Sequence, residues 1–459
     1  VKFYKNFDQI RSEIYQAILS KDVNRILSWL NHCIEFFPPI IYDEASAILS
    51  SLKSDERFFD VLRVFHDNGF CPELVYTYAS QNASLHEGVY GVPIAVKNAY
   101  DSNKIIIYSS KFSERSLSSQ EAYKSTIEVL CAKYNVLLVA PSSSPASSYY
   151  KSLSQYLEIP DISPLNVVDS IKMLSSHEPR VLVEMTPMEP SLAPHMDRTY
   201  TANISGHMVG ATNMTGRRRA PNFLIEDPTQ ARRKIPLSKI QRSFEVWPYV
   251  MPSLDVDRNY FTYNNETPNE KNFRFGAFCR LKKVDLMTLN CWACALIRFP
   301  SAKLYFSFMQ TNTVSEHYTR KYFQSLSIDP QRIIFIPRLS TNDYLIELSK
   351  MDIIFGANPE QGGVSCTDAL AVGVPYLVTE INSITTTASY ILNLIGKSEW
   401  CVNSCSEFLC AIEKILSNRE ETTNFLSQSK LRKDVTLRME QHRIEFHKTL
   451  FKMLDQAIR

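Results

Sequence analysis

The stretch that most constrains this chain is residues 352–378, DIIFGANPEQGGVSCTDALAVGVPYLV. An apolar run at 353–355 reads as a buried strand. A small polar loop carrying Gly362 and Gly363 follows, then a helical stretch over 365–372 and a second apolar run from Pro375. A strand, loop, helix, strand unit of this kind belongs to a parallel sheet. It sets free N–H groups of the loop and of the first helical turn at the carboxyl edge of that sheet, where the helix dipole favours an anion. Phosphate or diphosphate is the natural ligand of such an arrangement.

The same alternation runs through most of the chain. From residue 96, strands are expected at 105–108, 136–140, 180–185 and 223–225, interleaved with helices at 120–133 and 167–174 and a short one at 191–200, with 207–211 at a strand end or loop. An aperiodic stretch rich in Pro, Asn, Arg and aromatics, 228–270, interrupts the pattern and reads as linker and hinge. Strands then resume at 273–278, 303–308 and 333–336, with helices at 286–297, 315–326, 342–350, 388–395 and 405–416 and a long amphipathic segment at 420–458. Such alternation predicts parallel sheets covered by helices on both faces. Residues 1–95 differ: Ile10, Ile14, Ala17 and Ile18, then Ile26, Leu27, Trp29 and Leu30, keep helical spacing and no strand pattern intervenes. The expected division is an all-α region over 1–95, a Rossmann-like domain over 96–250, a linker over 251–270 and a second Rossmann-like domain with trailing helices over 271–459. The N-terminal helices serve either as a cap or partner-chain surface, or in acceptor binding; their pattern does not choose.

Composition narrows the partners. Fifty Lys and Arg against 48 Asp and Glu leave a formal charge of +2, so no global field favours nucleic acid or an acidic membrane. No apolar run approaches the roughly 20 residues that span a bilayer, and the first residues, VKFYKNFDQI, lack a signal-peptide core. The expectation is a cytoplasmic protein, in which the sequons at Asn82, Asn203, Asn213 and Asn265 carry no glycan. Ten scattered cysteines are expected to be reduced core thiols. Cys291 and Cys294 have CxxC spacing but lie inside a helical pattern with no second pair, and Asp255 and Asp257 lie in the hinge, so no metal and no cofactor is assigned. Neither half carries a Walker A loop or a GxGxxG after its first strand, which argues against nucleotide hydrolysis and dinucleotide redox chemistry.

The ordered motifs of the second half are specific. FCRLKKVD at 278–285, Trp292, RIIFIP at 332–337, Tyr344-Leu345, Asp352, Gly362-Gly363, DAL at 368–370 and GVP at 373–375 together resemble the catalytic domain of O-GlcNAc transferases and of the bacterial cytoplasmic N-glycosyltransferases that modify adhesins. IGKSEW at 395–400 is similar to the bacterial branch, and the resemblance spans roughly 180–455. It implies a GT-B fold, two Rossmann-like domains facing a cleft. It also implies metal-independent, inverting transfer of glucose or GlcNAc from a UDP-sugar to an Asn or Ser/Thr side chain of a protein acceptor such as an adhesin or other surface protein. A binding protein that keeps this fold without transfer, and a GT-B enzyme with a glycan or lipid acceptor, are the alternatives.

The resemblance also suggests roles for particular residues. Lys283 would neutralise the β-phosphate, as against a solvated lysine beside Lys282. Gly362, Gly363, Val364 and Ser365 would supply N–H donors to the diphosphate, glycine allowing close approach. Asp368 would accept from the ribose hydroxyls, or else complement the helix dipole. Arg338 and Leu339 would present backbone groups to uracil and Tyr344 would stack on the base, or pack as core. Thr385 and Thr386 are candidate phosphate ligands or a helix cap. His207, in SGHMVGAT at 205–212, would be a base or polar ligand near acceptor and phosphates, or a structural histidine. The basic run 217–219 either meets an anion or is a solvated loop. The chain departs from its relatives at Gln361-Gly-Gly-Val-Ser365, where they carry a more polar donor loop.

Overall fold

The computed structural model describes, with short internal gaps, residues 7–70, 104–112, 117–160, 169–184, 202–206, 223–226, 243–245, 272–307, 313–427 and 437–456. Among the described residues, four N-terminal helices, α1 (Phe7–Leu19), α2 (Val23–Phe36), α3 (Pro39–Leu52) and α4 (Phe58–Asn68), form where the apolar spacing places them. Asp22 caps α2 by accepting from the Arg25 N–H at 3.0 Å, and Val23, Ile26, Trp29, Leu30 and Cys33 line its buried face.

The first α/β half comprises β1 (Lys104–Tyr108), α5 (Leu117–Lys133), β2 (Asn135–Pro141), α6 (Ser148–Leu153), β3 (Gln155–Ile159), β4 (Val181–Glu184), β5 (Ala202–Gly206), β6 (Phe223–Glu226) and β7 (Ser243–Glu245). Its seven strands run parallel in the order β3-β2-β1-β4-β5-β6-β7. The expected strands at 105–108, 136–140, 180–185 and 223–225 are all present. The supposed aperiodic hinge, however, contributes β7, and α6 and β3 were not foreseen. The missed strands β3 and β7, QYLEI and SFE, carry polar residues and no apolar run, and sheet pairing stabilises them instead. The short helix expected at 191–200 lies outside the described residues.

The second half contains β8 (Arg274–Ala277), α7 (Leu286–Arg298), β9 (Lys303–Phe306), α8 (Thr313–Ser325), β10 (Ile333–Phe335), α9 (Thr341–Ser349), β11 (Ile353–Phe355), α10 (Gly363–Ala371), β12 (Tyr376–Thr379), α11 (Thr387–Leu394), β13 (Cys401–Val402), α12 (Cys405–Ser417) and α13 (Arg419–Ser427). Its parallel sheet has the order β10-β9-β8-β11-β12-β13, the Rossmann order in which the direction of winding reverses between the first strand and the fourth. Gly373, at φ +79°, turns the chain from α10 toward β12. Trp292, Phe306, Phe355 and Phe408 form a continuous aromatic core across this sheet.

The chain divides into two compact units, residues 1–45 with 251–438 and residues 46–250 with 439–459, the first boundary falling within α3. In the unit holding the second sheet, α2 and the residue that follows it pack on α8: Phe36 lies 6.4 Å from Tyr318 and Phe37 5.6 Å from Tyr322, ring centre to ring centre. In the unit holding the first sheet, Leu450 and Leu454 join Ile105, Ile107, Val136 and Leu138 in the core, and Asp455 pairs with Lys133 at 3.0 Å. Of the terminal segment expected to trail the second sheet, α13 stays with that sheet, whereas residues 439–459 belong to the unit built on the first. Their amphipathic face needed an apolar partner, and sequence distance does not say which sheet supplies one.

The cysteine expectation needs one correction. Cys291 of α7 and Cys405 at the start of α12 form a disulfide, while Cys294 is free. The two helices pack side by side, bringing together residues 114 apart in sequence. Buried Cys33 and Cys366 carry free thiols as expected. No described helix is long and apolar enough to cross a membrane.

Candidate functional site

In an open parallel sheet the crevice outside the carboxyl ends of the strands, where winding reverses, is the usual place for a ligand. Here that place lies between β8 and β11. Beyond β8 the chain makes a 3-10 turn, Leu281–Lys283, and enters α7 through Asp285, whose carboxylate caps the helix by accepting from Thr288 N–H at 2.8 Å. Beyond β11 it runs through 356–362. The two connections cross antiparallel: Val284 bridges Pro359, the Asp285 N–H donates to the Asn358 carbonyl at 2.9 Å, and the Glu360 N–H reaches the Lys283 carbonyl at 3.4 Å. Thr288 Oγ1 also donates to the Asn358 carbonyl, at 3.0 Å.

This crossing fixes Lys283. Its ammonium lies 3.8 Å from the Glu360 carboxylate, with the lysine side chain 23% and the glutamate side chain 10% exposed. The lysine is thus neither in the core nor freely solvated: it is a partly desolvated cation at the switch point, held by an acid the sequence did not single out. The loop is tied from another direction by α3, whose Tyr42 hydroxyl donates to the Lys282 carbonyl at 2.7 Å.

Gly362 occupies the N-cap position of α10 and brings no side chain to it. A Cβ there would run into Ser365 Oγ, and one at Gly356 would come within 2.6 Å of the Tyr376 ring, so the loop lies close on its floor at both glycines. Ser365 Oγ donates to the Gly362 carbonyl at 3.2 Å and shares a hydrogen bond of 3.2 Å with the Tyr376 hydroxyl. Its hydroxyl is therefore engaged inward, and the Gly363 and Val364 segment opens the helix with backbone N–H groups alone. One turn on, Asp368 is buried and accepts from the Tyr344 hydroxyl at 3.3 Å. Tyr344 packs edge-on to Phe278, 5.7 Å between ring centres, and burial, then the neighbouring Asp368 charge, pushes its phenol well above its ordinary value. It is a hydrogen-bond donor at every physiological pH.

Beyond β12, α11 begins with Thr386 at its N-cap position, but the Thr386 side chain makes no cap hydrogen bond. The Ser389 N–H of that first turn is taken instead by the Gln361 side-chain carbonyl at 2.9 Å. Leu339 follows β10 at the same edge and is half-buried. Lys283, Gly362, Gly363, Val364, Ser365, Asp368 and Thr386 are thus borne by connections that leave the carboxyl ends of β8, β11 and β12, and Leu339 and Tyr344 by the one that leaves β10. Arg338, Thr385, His207 and 217–219 lie outside the described residues, Gly206 being the last residue of β5. Glu360 and Tyr376 are what sequence reasoning missed, and Gln361, singled out only as part of the departing stretch 361–365, was given no role. Nothing in a single sequence separates a buried glutamate or glutamine in a loop from a solvated one; the only signal was their place beside the double glycine.

The fold is GT-B. Among solved structures, an O-GlcNAc transferase of Thermobaculum terrenum matches 95% of this chain and 84% of its own, with a TM-score of 0.67 at 15% identity. HepE of Anabaena, solved in complex with UDP-glucose, matches 76% of this chain and 99% of its own with a TM-score of 0.51 at 12% identity. Sucrose-phosphate synthase of Thermosynechococcus elongatus matches 78% and 100%, with a TM-score of 0.51 at 10% identity. No protein-family model matches the chain, and no curated protein matches it. At such identities the likeness is one of fold.

Proposed function

We propose that the chain is a UDP-sugar-dependent glycosyltransferase that moves glucose or GlcNAc to an Asn or Ser/Thr side chain of a protein, with inversion at C1. The observation that carries the reading is the crossing of 283–285 over 358–360, which sets a partly desolvated lysine beside the glycine-opened start of α10 at the switch point of a Rossmann sheet. A diphosphate is the ligand such a constellation suits, and the GT-B neighbours, one of them holding UDP-glucose, point to a nucleotide sugar.

In this reading the acceptor nucleophile attacks C1 from the face opposite the diphosphate. The bond between C1 and the diphosphate oxygen breaks, and the acceptor proton passes to a base, for which His207, next in sequence after β5, is the candidate. The charge that develops on the leaving UDP is met by the Lys283 ammonium and the N–H groups of Gly362 to Ser365, with no metal required. Glu360 keeps Lys283 at the loop crossing. Asp368, oriented by Tyr344, takes the ribose hydroxyls, and Arg338 and Leu339 take the base.

Titration calorimetry with UDP, followed by UDP release and mass spectrometry of candidate acceptors with UDP-glucose and UDP-GlcNAc, tests the proposal. Lys283→Ala is expected to weaken UDP binding by about ten- to a hundredfold, the worth of one charge-assisted hydrogen bond of about 1.5–3 kcal/mol. Absence of any uridine-nucleotide binding by the intact chain overturns the reading. A binding protein without transfer is the second reading, favoured by one observation: Ser365 turns its hydroxyl onto Gly362 and Tyr376 and leaves the donor loop only backbone groups. UDP affinity with no turnover on any acceptor would select it.

A further inference from the structure

Gln361 opens the stretch 361–365 at which this chain leaves the pattern it otherwise resembles, and it is 4% exposed. Its amide carbonyl accepts from the Ser389 N–H at 2.9 Å, while its NH2 donates to Ser389 Oγ at 2.9 Å and reaches the Thr379 carbonyl at 3.5 Å. Ser389 lies in the first turn of α11, among the N–H groups that a helix cannot satisfy internally. The local cap residue, Thr386, leaves that bond to a glutamine 28 positions upstream. Gln361 also directly precedes Gly362 and α10. The buried side chain of the residue just before the N-cap of α10 is therefore bonded into the first turn of α11, and the two helices begin beyond adjacent strands, β11 and β12.

We propose that Gln361 is a positioning residue that holds the starts of α10 and α11 in fixed relation, so that their N–H groups act on one diphosphate as a single unit. It touches neither substrate nor reacting atoms. The proposal rests on the donor-site reading above. The physical argument is that a glycine-opened loop has no side chain of its own to hold it, so the donors of α10 stay in place only through neighbours. Ser365 and Tyr376 brace it through α10, and Gln361 ties it to α11. Oriented dipoles stabilise charge in proportion to how little they must reorganise, so loosening the tie should weaken diphosphate binding and leave base and ribose contacts alone.

The test compares UDP and UMP affinities by calorimetry in the intact chain, Gln361→Met, Ser389→Ala and the double variant, each checked for folding by circular dichroism. Methionine matches the length of glutamine and leaves the Ser389 N–H unpaired. Ser389→Ala keeps that N–H bond and removes only the hydroxyl contact, so it remains informative if Gln361→Met does not fold. Gln361→Met is expected to lower UDP affinity about tenfold and UMP affinity no more than about twofold, with Ser389→Ala in between and the double variant no worse than Gln361→Met. A folded Gln361→Met with unchanged UDP affinity, or with equal losses for UDP and UMP, overturns the proposal. Amide hydrogen exchange gives a readout that does not need the nucleotide. Gln361→Met should speed exchange over both 363–371 and 387–394, and acceleration confined to 387–394 overturns the coupling. If the intact chain binds no uridine nucleotide, the donor-site reading fails, and the exchange result alone decides whether Gln361 ties the two helices.

Discussion

Asp285 offers the sharpest test of the site's electrostatics. It caps α7, two residues after Lys283, and lines a small cavity with Arg11, Asp43 and Tyr322. Burial raises its carboxyl from the ordinary 3.8 to about 6; the hydrogen bonds from Thr288 lower it and the Asp43 charge raises it further. Because the folded value is above the unfolded one, the native state holds the proton more tightly between about pH 4 and pH 6. Stability from this group is greatest below pH 4, falls as pH rises through that window and is level above it. At about 1.4 kcal/mol per pH unit between the two values, ionised Asp285 costs the fold up to about 3 kcal/mol at pH 7.5. Asparagine caps a helix as well as aspartate does and carries no charge. Asp285→Asn should therefore unfold at nearly the same temperature as the parent chain at pH 4, and the gap should widen between pH 4 and pH 6. Above pH 7 it should settle at a gain of about 1–3 kcal/mol, several degrees for a unit of this size. Differential scanning calorimetry at half-unit pH steps reads this directly. A gap that is constant with pH, or a less stable variant at pH 7.5, would refute the claim that burial dominates this carboxyl.

Three further outcomes follow from the geometry. Tyr42→Phe removes the hydroxyl that holds the Lys282 carbonyl and should cost about 0.5–1.5 kcal/mol in urea unfolding, with no effect meaning that the α3 tie contributes nothing. Gly362→Ala meets no backbone penalty at φ −88° but displaces Ser365 from Gly362 and Tyr376, so UDP affinity by calorimetry should fall by about tenfold, worth about 1.4 kcal/mol. Replacing both Cys291 and Cys405 by Ala opens a loop of 114 residues in the unfolded chain and should lower stability by about 2–5 kcal/mol; equal melting temperatures with and without the bridge would contradict this.

Much of this protein was legible without coordinates, and the reason is local. The second half alternates short apolar runs with helices of eight to thirteen residues whose apolar spacing is unambiguous, so β11 falls on the three residues expected and α7, α9 and α11 shift by only one. The first half was harder, because β3, β5 and β7 lack the continuous apolar run of β11 and are stabilised by pairing with neighbouring strands, a contribution that no window of residues contains. The same distinction governs the site. Lys283, the double glycine and Asp368 stand out because their residue types suit an anion and a ribose at a helix start. Glu360 and Tyr376 are ordinary letters until the chain is folded, and Gln361 marks a departure whose role only the fold supplies.

What the sequence determined by itself was the succession of strands and helices, and with it the parallel sheets and the loop at 356–362 as the place where an anion could sit. Tertiary structure alone decided which polar groups in that loop face one another. Helix and strand periods are set within a few residues by backbone sterics and apolar spacing. The Lys283–Glu360 pair, the Gln361 cap on α11 and the Cys291–Cys405 bridge join residues 77, 28 and 114 positions apart. Such pairings depend on how elements pack, and packing is a property of the assembled core.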